Sequence, residues 1–181
     1  MYRFTFSLAT LMLATVLVGC GESPSASTSK PASLSAASLP DSAIAAESPG
    51  EATPIAKLKS TAKAGDQVTL RAVVGGRSEP FVKDRAIMLV VDATLPRSCG
   101  VEPDDPCKTP WDYCCSASEE LMPNLATVQI VDAEGAPLKV DLGSGPIKPF
   151  DTIVVSGSVG DRPDDKTLVV NTSSVYVENA P

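Results

Sequence analysis

Residues 67–74 read Gln-Val-Thr-Leu-Arg-Ala-Val-Val, so that Val68, Leu70, Ala72 and Val74 alternate with Gln67, Thr69, Arg71 and Val73. A period of two places the first four on one face, which predicts a half-buried β-strand. The next run, Ala86-Ile87-Met88-Leu89-Val90-Val91, is apolar throughout and predicts a strand covered on both faces. Residues 127–131 alternate again, and Asp132-Ala133-Glu134-Gly135 reads as a hairpin turn with glycine where φ is positive. Residues 137–142 then return, and residues 152–159 and 167–177 supply two long strands joined by the polar loop 160–166. Helix signals are few. Ile55 and Leu58 suit one turn before the first strand, and Ser116-x-x-Glu119 has capping-box spacing, with Glu120 adding charge to the first turn. Pro123 limits that second helix to about two turns. The expected fold class is mainly β: one small barrel of five to six strands over residues 55–181, its length suited to a single core.

The strand pattern resembles an OB-fold over residues 67–177: a first strand following Gly65-Asp66, a long hairpin, an apolar second strand, and Val155-x-Gly157-x-Val159 in the fourth. Glycine inside a barrel strand commonly marks a bend or a close backbone approach. The chain departs from that family in one respect. An OB helix usually lies between the third and fourth strands, whereas the long connection here, residues 94–126, lies between the second and third. A β-sandwich is the competing architecture.

Upstream the composition changes. Met1-Tyr2-Arg3 gives a positive start, residues 4–18 are mostly apolar, and Leu17-Val18-Gly19 leads directly into Cys20. The apolar run is shorter than the roughly 20 residues that span a bilayer, so a cleaved signal peptide over residues 1–19 is the expectation. Leu17-Val18-Gly19-Cys20 resembles the lipobox of bacterial lipoproteins. The resemblance implies lipidation of Cys20, a membrane anchor in the bacterial envelope, and a domain facing the periplasm or the exterior. Gly21, rather than Asp, after the cysteine favours the outer membrane. Residues 20–54 are rich in Ser, Ala and Pro, with few large apolar side chains beyond Leu34, Leu39 and Ile44. Such a stretch buries too little to offset its ordering entropy, so a disordered N-terminal linker is expected, reaching roughly 30 Å as a coil.

The connection between strands 2 and 3 carries Cys99, Cys107, Cys114 and Cys115, with Asp104, Asp105, Trp111, Asp112 and Tyr113 among them. A loop this long needs a staple or a function. In an exported chain an even set of cysteines reads first as two disulfides, Cys99 and Cys107 each taking one of the adjacent pair. The alternative is a thiolate metal or redox site, since four thiolates suit zinc or copper(I). Against it stand the absence of a Cys-x-x-Cys pair and of any histidine. Trp111 and Tyr113 are possible ligand contacts or packing partners of the cysteines. Asp104, Asp105 and Asp112 read as solvated acidic surface rather than a calcium loop.

Chemistry is otherwise sparse. With no histidine the commonest general base is missing, and neither a phosphate loop nor a dinucleotide fingerprint occurs, so no enzyme, no catalytic residue and no cofactor is expected. Asp92 and Asp132 stand at the ends of two strands, where geometry alone would let them meet, and nothing in the sequence shows that they do. A nucleic-acid partner is not expected either, because Lys+Arg number 15 against 22 Asp+Glu, a net charge of −7. The first hairpin gathers Arg71, Arg77, Lys83 and Arg85, diluted by Glu79 and Asp84. The functional expectation is a non-catalytic envelope lipoprotein, held to the membrane through Cys20, whose barrel binds or assembles with an envelope protein or ligand. The second expectation is a thiolate metal-binding or redox lipoprotein using the cysteine loop.

Overall fold

A computed structural model of the chain describes residues 38–97, 99–100 and 104–178. All of them belong to one compact unit, Leu34–Pro181. Cys20 and the signal segment 1–19 lie outside the described residues.

The alternating stretch forms β1 (Gln67–Val74) and the apolar run forms β2 (Ile87–Asp92). They are followed by β3 (Leu125–Ile130), β4 (Thr152–Val159), β5 (Val169–Thr172) and β6 (Tyr176–Glu178). The strand order is β1-β2-β3-β5-β4, and β4 pairs back onto β1, closing a five-strand barrel to which β6 adds at β4. Every pairing is antiparallel except β3 with β5. Closure decides between the two architectures: a sandwich keeps open sheet edges, and this sheet returns on itself as an OB-like barrel does. β1 is long enough to serve both neighbours, residues 67–73 pairing with β4 and residues 72–74 with β2. Its inward face, Leu70, Ala72 and Val74, is fully buried with Met88, Val90, Val128, Ile130, Ile153 and Val155. Gly157 in β4 is needed as expected, because a Cβ there would stand 2.2 Å from the carbonyl oxygen of Asn171.

Three expectations are corrected. Residues 137–142 form no strand: a single bridge joins Val131 to Pro137, and a 3-10 turn, Leu142–Ser144, follows. β3 is paired to β2 as far as Gln129 and to β5 on its other side, so the returning segment meets it only at its end, where the Leu138 N–H donates to the Ile130 carbonyl at 2.9 Å, and then sends Val140, Leu142 and Ile147 into the core. The run 167–177 is two strands, because its first half pairs with β3 and its second half crosses to β4. The third correction concerns the linker. Residues 20–37 lie outside the described residues, but the rest is placed on the barrel, ahead of the boundary expected at residue 54. Leu39 and Ala43 join the core, Ile44 bridges Val175, and the Thr53 N–H donates to the Thr69 carbonyl at 2.8 Å. The sparse apolar residues of that stretch are its attachment points.

α1 (Ile55–Thr61) buries Ile55 and Leu58, and supplies the core with what an OB helix between strands 3 and 4 would. Asp92, at the end of β2, accepts the Ile55 N–H with one carboxylate oxygen and the Thr94 N–H and hydroxyl with the other. At the far end Arg162 donates to the carbonyls of Ala62 and Lys59, satisfying acceptors that a helix C-terminus leaves open. α2 (Ser118–Leu121) starts later than the capping-box spacing predicts, with Ala117 at its N-cap. The Ser116 N–H is spent on the Tyr113 carbonyl, which places residue 116 in the preceding turn. Among the described residues no helix is long and apolar enough to cross a membrane.

Candidate metal centre

The connection from β2 to β3 folds back on the outside of the barrel. Val73, Val91 and Val154 point away from the main core yet are buried, as are Cys99 and Tyr113 from the loop. The docking point is the pair Gly75-Gly76 at the end of β1. The Gly76 N–H donates to the Trp111 carbonyl at 2.7 Å, and a Cβ on Gly75 would stand 2.2 Å from that same oxygen. The Trp111 indole N–H reaches back to the Ser78 carbonyl at 3.0 Å. Backbone can approach backbone this closely only where no side chain intervenes. Gly75→Ala is therefore expected to lift the loop and raise the alkylation rate of Cys99, now 1% exposed, by about tenfold or more, as overpacking of one to three kcal/mol implies. Iodoacetamide labelling with peptide mass spectrometry reads this, and an unchanged Cys99 rate would show that the glycine contact does not hold the loop.

The same loop brings the four cysteines together. Cys114 Sγ lies 3.6 Å from Cys99 Sγ, 4.0 Å from Cys107 Sγ and 3.8 Å from Cys115 Sγ. No pair is bonded, which departs from the two disulfides expected: a disulfide has about 2.05 Å between its sulfurs and leaves each with one partner. Here one sulfur has three near-equidistant neighbours. Metal–sulfur bonds of about 2.3 Å in a tetrahedron give sulfur–sulfur edges of about 3.8 Å, and the three distances fall on either side of that value. Three edges that meet at Cys114 therefore have the length that a tetrahedral thiolate site requires. Asp112 completes the group: its carboxylate and the sulfurs of Cys99, Cys107 and Cys114 all lie within 4.8 Å of one another.

Two aspartates place the sulfurs. Asp105 accepts from the Cys107 N–H at 2.8 Å and the Gly100 N–H at 2.7 Å. Asp112 accepts from the Cys114 N–H at 2.8 Å and the Thr109 hydroxyl at 2.8 Å. Each is an Asx turn that fixes a cysteine two residues on. These are the residues that sequence reasoning assigned to a solvated surface; the repeated Asp-x-Cys of Asp105-Pro106-Cys107 and Asp112-Tyr113-Cys114 was the available signal. The hydrogen bonds from Cys107 and Gly100 hold Asp105 below the usual carboxylate range. Burial pushes Asp112 up, but the bonds from Thr109 and Cys114 more than offset it.

Between the two turns, Pro110–Asp112 forms a 3-10 turn, and Tyr113 ends it in the left-handed conformation at φ 57° and ψ 31°. That conformation costs a non-glycine residue about 1–2 kcal/mol and turns the chain so that Cys114 meets Cys99. Tyr113, 2% exposed, is packed inward, and its hydroxyl has no hydrogen-bond partner. Burial pushes this phenol up, with the nearby Arg97 charge pulling the other way.

The thiols share charge unequally. Hydrogen bonding from the Cys115 thiol, helped by Cys114 and Cys107, holds Cys99 below the usual thiol range despite its burial. Cys114 is pushed well up, first by the bond it gives Asp112 and then by those to Cys99 and Cys115. Cys115 is raised chiefly by its bond to Cys99. A bound cation would supply the charge that lets the raised thiols ionise.

The remaining residues singled out in the sequence go elsewhere. Asp92 caps α1, and Asp132 accepts the N–H groups of Glu134 and Ala136 in its own turn, so the two carboxylates serve separate pieces of backbone. Arg71 of the first hairpin forms an ion pair with Glu178 on β6 through Nε and Nη2.

Fold and loop together define an OB-like barrel that carries a thiol cluster on its outer face. Comparisons of this chain with protein-family models, with curated proteins and with solved structures give no match.

Proposed function

We propose that this chain is a non-catalytic envelope lipoprotein whose cysteine loop holds one thiophilic metal ion, zinc first among the candidates. The observation that carries the reading is the sulfur spacing at Cys114, which matches a tetrahedral edge to three neighbours and a disulfide to none. Cys99, Cys107 and Cys114 are the thiolate ligands, and the Asp112 carboxylate takes the fourth place, while Asp105 and Asp112 also hold Cys107 and Cys114 in place through their backbone. Supporting residues such as Asp105 typically change metal affinity by about 10- to 100-fold when removed. The ion fixes the loop against the barrel, a structural rather than a hydrolytic role, since four protein ligands leave no open position for water. An ion on the thiolates also guards them from oxidation in the compartment that the lipobox implies.

The rest of the reading follows from sequence. Cys20 carries the lipid and tethers the barrel to the bacterial membrane, the outer one favoured, facing the periplasm or the exterior. The partner is an envelope protein or ligand rather than nucleic acid, in keeping with the net charge of −7.

The test uses full-length protein purified from its own membranes without reductant or chelator. Elemental analysis and thiol counting on one sample are expected to give one zinc or copper per chain and three thiols, Cys99, Cys107 and Cys114, that become reactive on chelation. Two disulfides and no metal would overturn the reading and restore the covalent staple.

A further inference from the structure

A second site lies on the other side of Tyr113. A cavity of about 350 Å³ opens between β1, β4 and the turn after β2, lined among others by Arg71, Thr94, Leu95, Arg97, Tyr113 and Phe150. Among the described residues its lining includes two guanidinium groups, that of Arg71 already paired to Glu178, and no carboxylate. Arg97 is exposed and stands over the Phe150 ring at 4.7 Å from the centroid. Arg71 uses Nε and Nη2 on Glu178, which leaves Nη1 unpaired among the described residues. The Tyr113 hydroxyl is buried and has no hydrogen-bond partner among the described residues, and an unsatisfied buried donor costs about 1–3 kcal/mol. Two of the three described non-glycine residues with positive φ, Tyr113 at 57° and Phe150 at 81°, wall this one cavity. Backbone strain concentrates where structure is being held for a purpose.

We infer that this cavity binds a small organic oxyanion. Its carboxylate or phosphate oxygens sit between the Arg97 and Arg71 guanidinium groups and accept from the Tyr113 hydroxyl, and its apolar part lies against Phe150 and Leu95. Guanidinium groups supply the paired donors that such oxygens match, and the half-buried Phe150 and Leu95 add an apolar contact. The inference goes beyond the metal centre and does not need it, although Tyr113 connects the two through its neighbour Cys114.

The experiment is a titration of the full-length, isotope-labelled chain, followed by amide nuclear magnetic resonance, with inorganic phosphate and with benzoate at constant ionic strength. Both anions are expected to give saturable shifts at Thr94, Leu95, Arg97 and Phe150, benzoate binding more tightly because it also fills the apolar side. Arg97→Ala is expected to weaken benzoate about tenfold or more and Tyr113→Phe about three- to tenfold, as the loss of one charge-assisted and one neutral bond implies. Metal content measured on the same samples separates loss of the anion site from disturbance of the cysteines. Linear shifts that chloride reproduces, or an Arg97→Ala variant binding benzoate as the parent does, would overturn the inference. Phosphate binding with no benzoate binding would overturn the apolar half of it.

Discussion

Cys114→Ser is expected to weaken zinc binding on the order of 10²- to 10³-fold, because four-ligand sites of this type are worth about 10–16 kcal/mol and each thiolate carries a share of it. Cys114 is the sulfur to remove, since its distances to Cys99, Cys107 and Cys115 define the cluster. It is also exposed, so serine in its place takes nothing from the core and the metal-free barrel keeps its stability. Competition against a chromophoric chelator measures the change. The pH dependence has a definite sign. Cys114 holds its proton more tightly than an ordinary thiol and must lose it to bind metal, so affinity rises with pH and falls on acidification. Cys99 is already lowered and contributes least to that slope. Removing Cys114 therefore flattens the slope as well as lowering the affinity. An affinity within a factor of a few of the parent, with the same pH slope, would remove Cys114 from the site.

Cys20→Ser is expected to act in an all-or-none way on location. One acyl chain, at about 0.8 kcal/mol per buried methylene, binds membranes only marginally, while two or more anchor stably. Without the sulfur there is nothing to carry the diacylglycerol, and the lipoprotein-type cut before residue 20 has no substrate. The substituted chain should keep residues 1–19 and incorporate no labelled palmitate, read by intact mass and by metabolic labelling. A variant that is still cut at that point and still carries lipid would refute the anchor, whatever becomes of the metal centre. The two experiments are independent: Cys114 fails without touching the address, and Cys20 fails without touching the barrel.

The barrel was legible in the chain because its strands announce themselves locally. Alternation in β1 and the unbroken apolar run of β2 reflect one-sided and two-sided burial, and each can be read from a handful of adjacent residues. Residues 137–142 misled for a related reason. Val140 and Leu142 are indeed buried, but whether buried residues extend as a strand depends on a free edge, and β3 leaves only its end at Ile130 for Leu138 to meet. Leu39 and Ile44 were too widely spaced to form a pattern, and became attachment points only when the barrel surface came to meet them.

The cysteine loop divides in the same way. That four cysteines within 17 residues of sequence must act together, whether bonded to each other or to an ion, follows from their number and the length of the loop. The choice between those chemistries rests on sulfur-to-sulfur distances of a few ångströms, which depend on two Asx turns, a left-handed tyrosine and a glycine pair on a distant strand. Short-range regularity encodes secondary structure because hydrophobic burial is periodic along the chain. The convergence of Cys99, Cys107 and Cys114 comes from the turns of their loop and its docking on Gly75 and Gly76, and the meeting of Arg71, Arg97 and Phe150 around Tyr113 comes from the pairing of β1 with β4 beneath that loop, which joins residues that no local pattern relates.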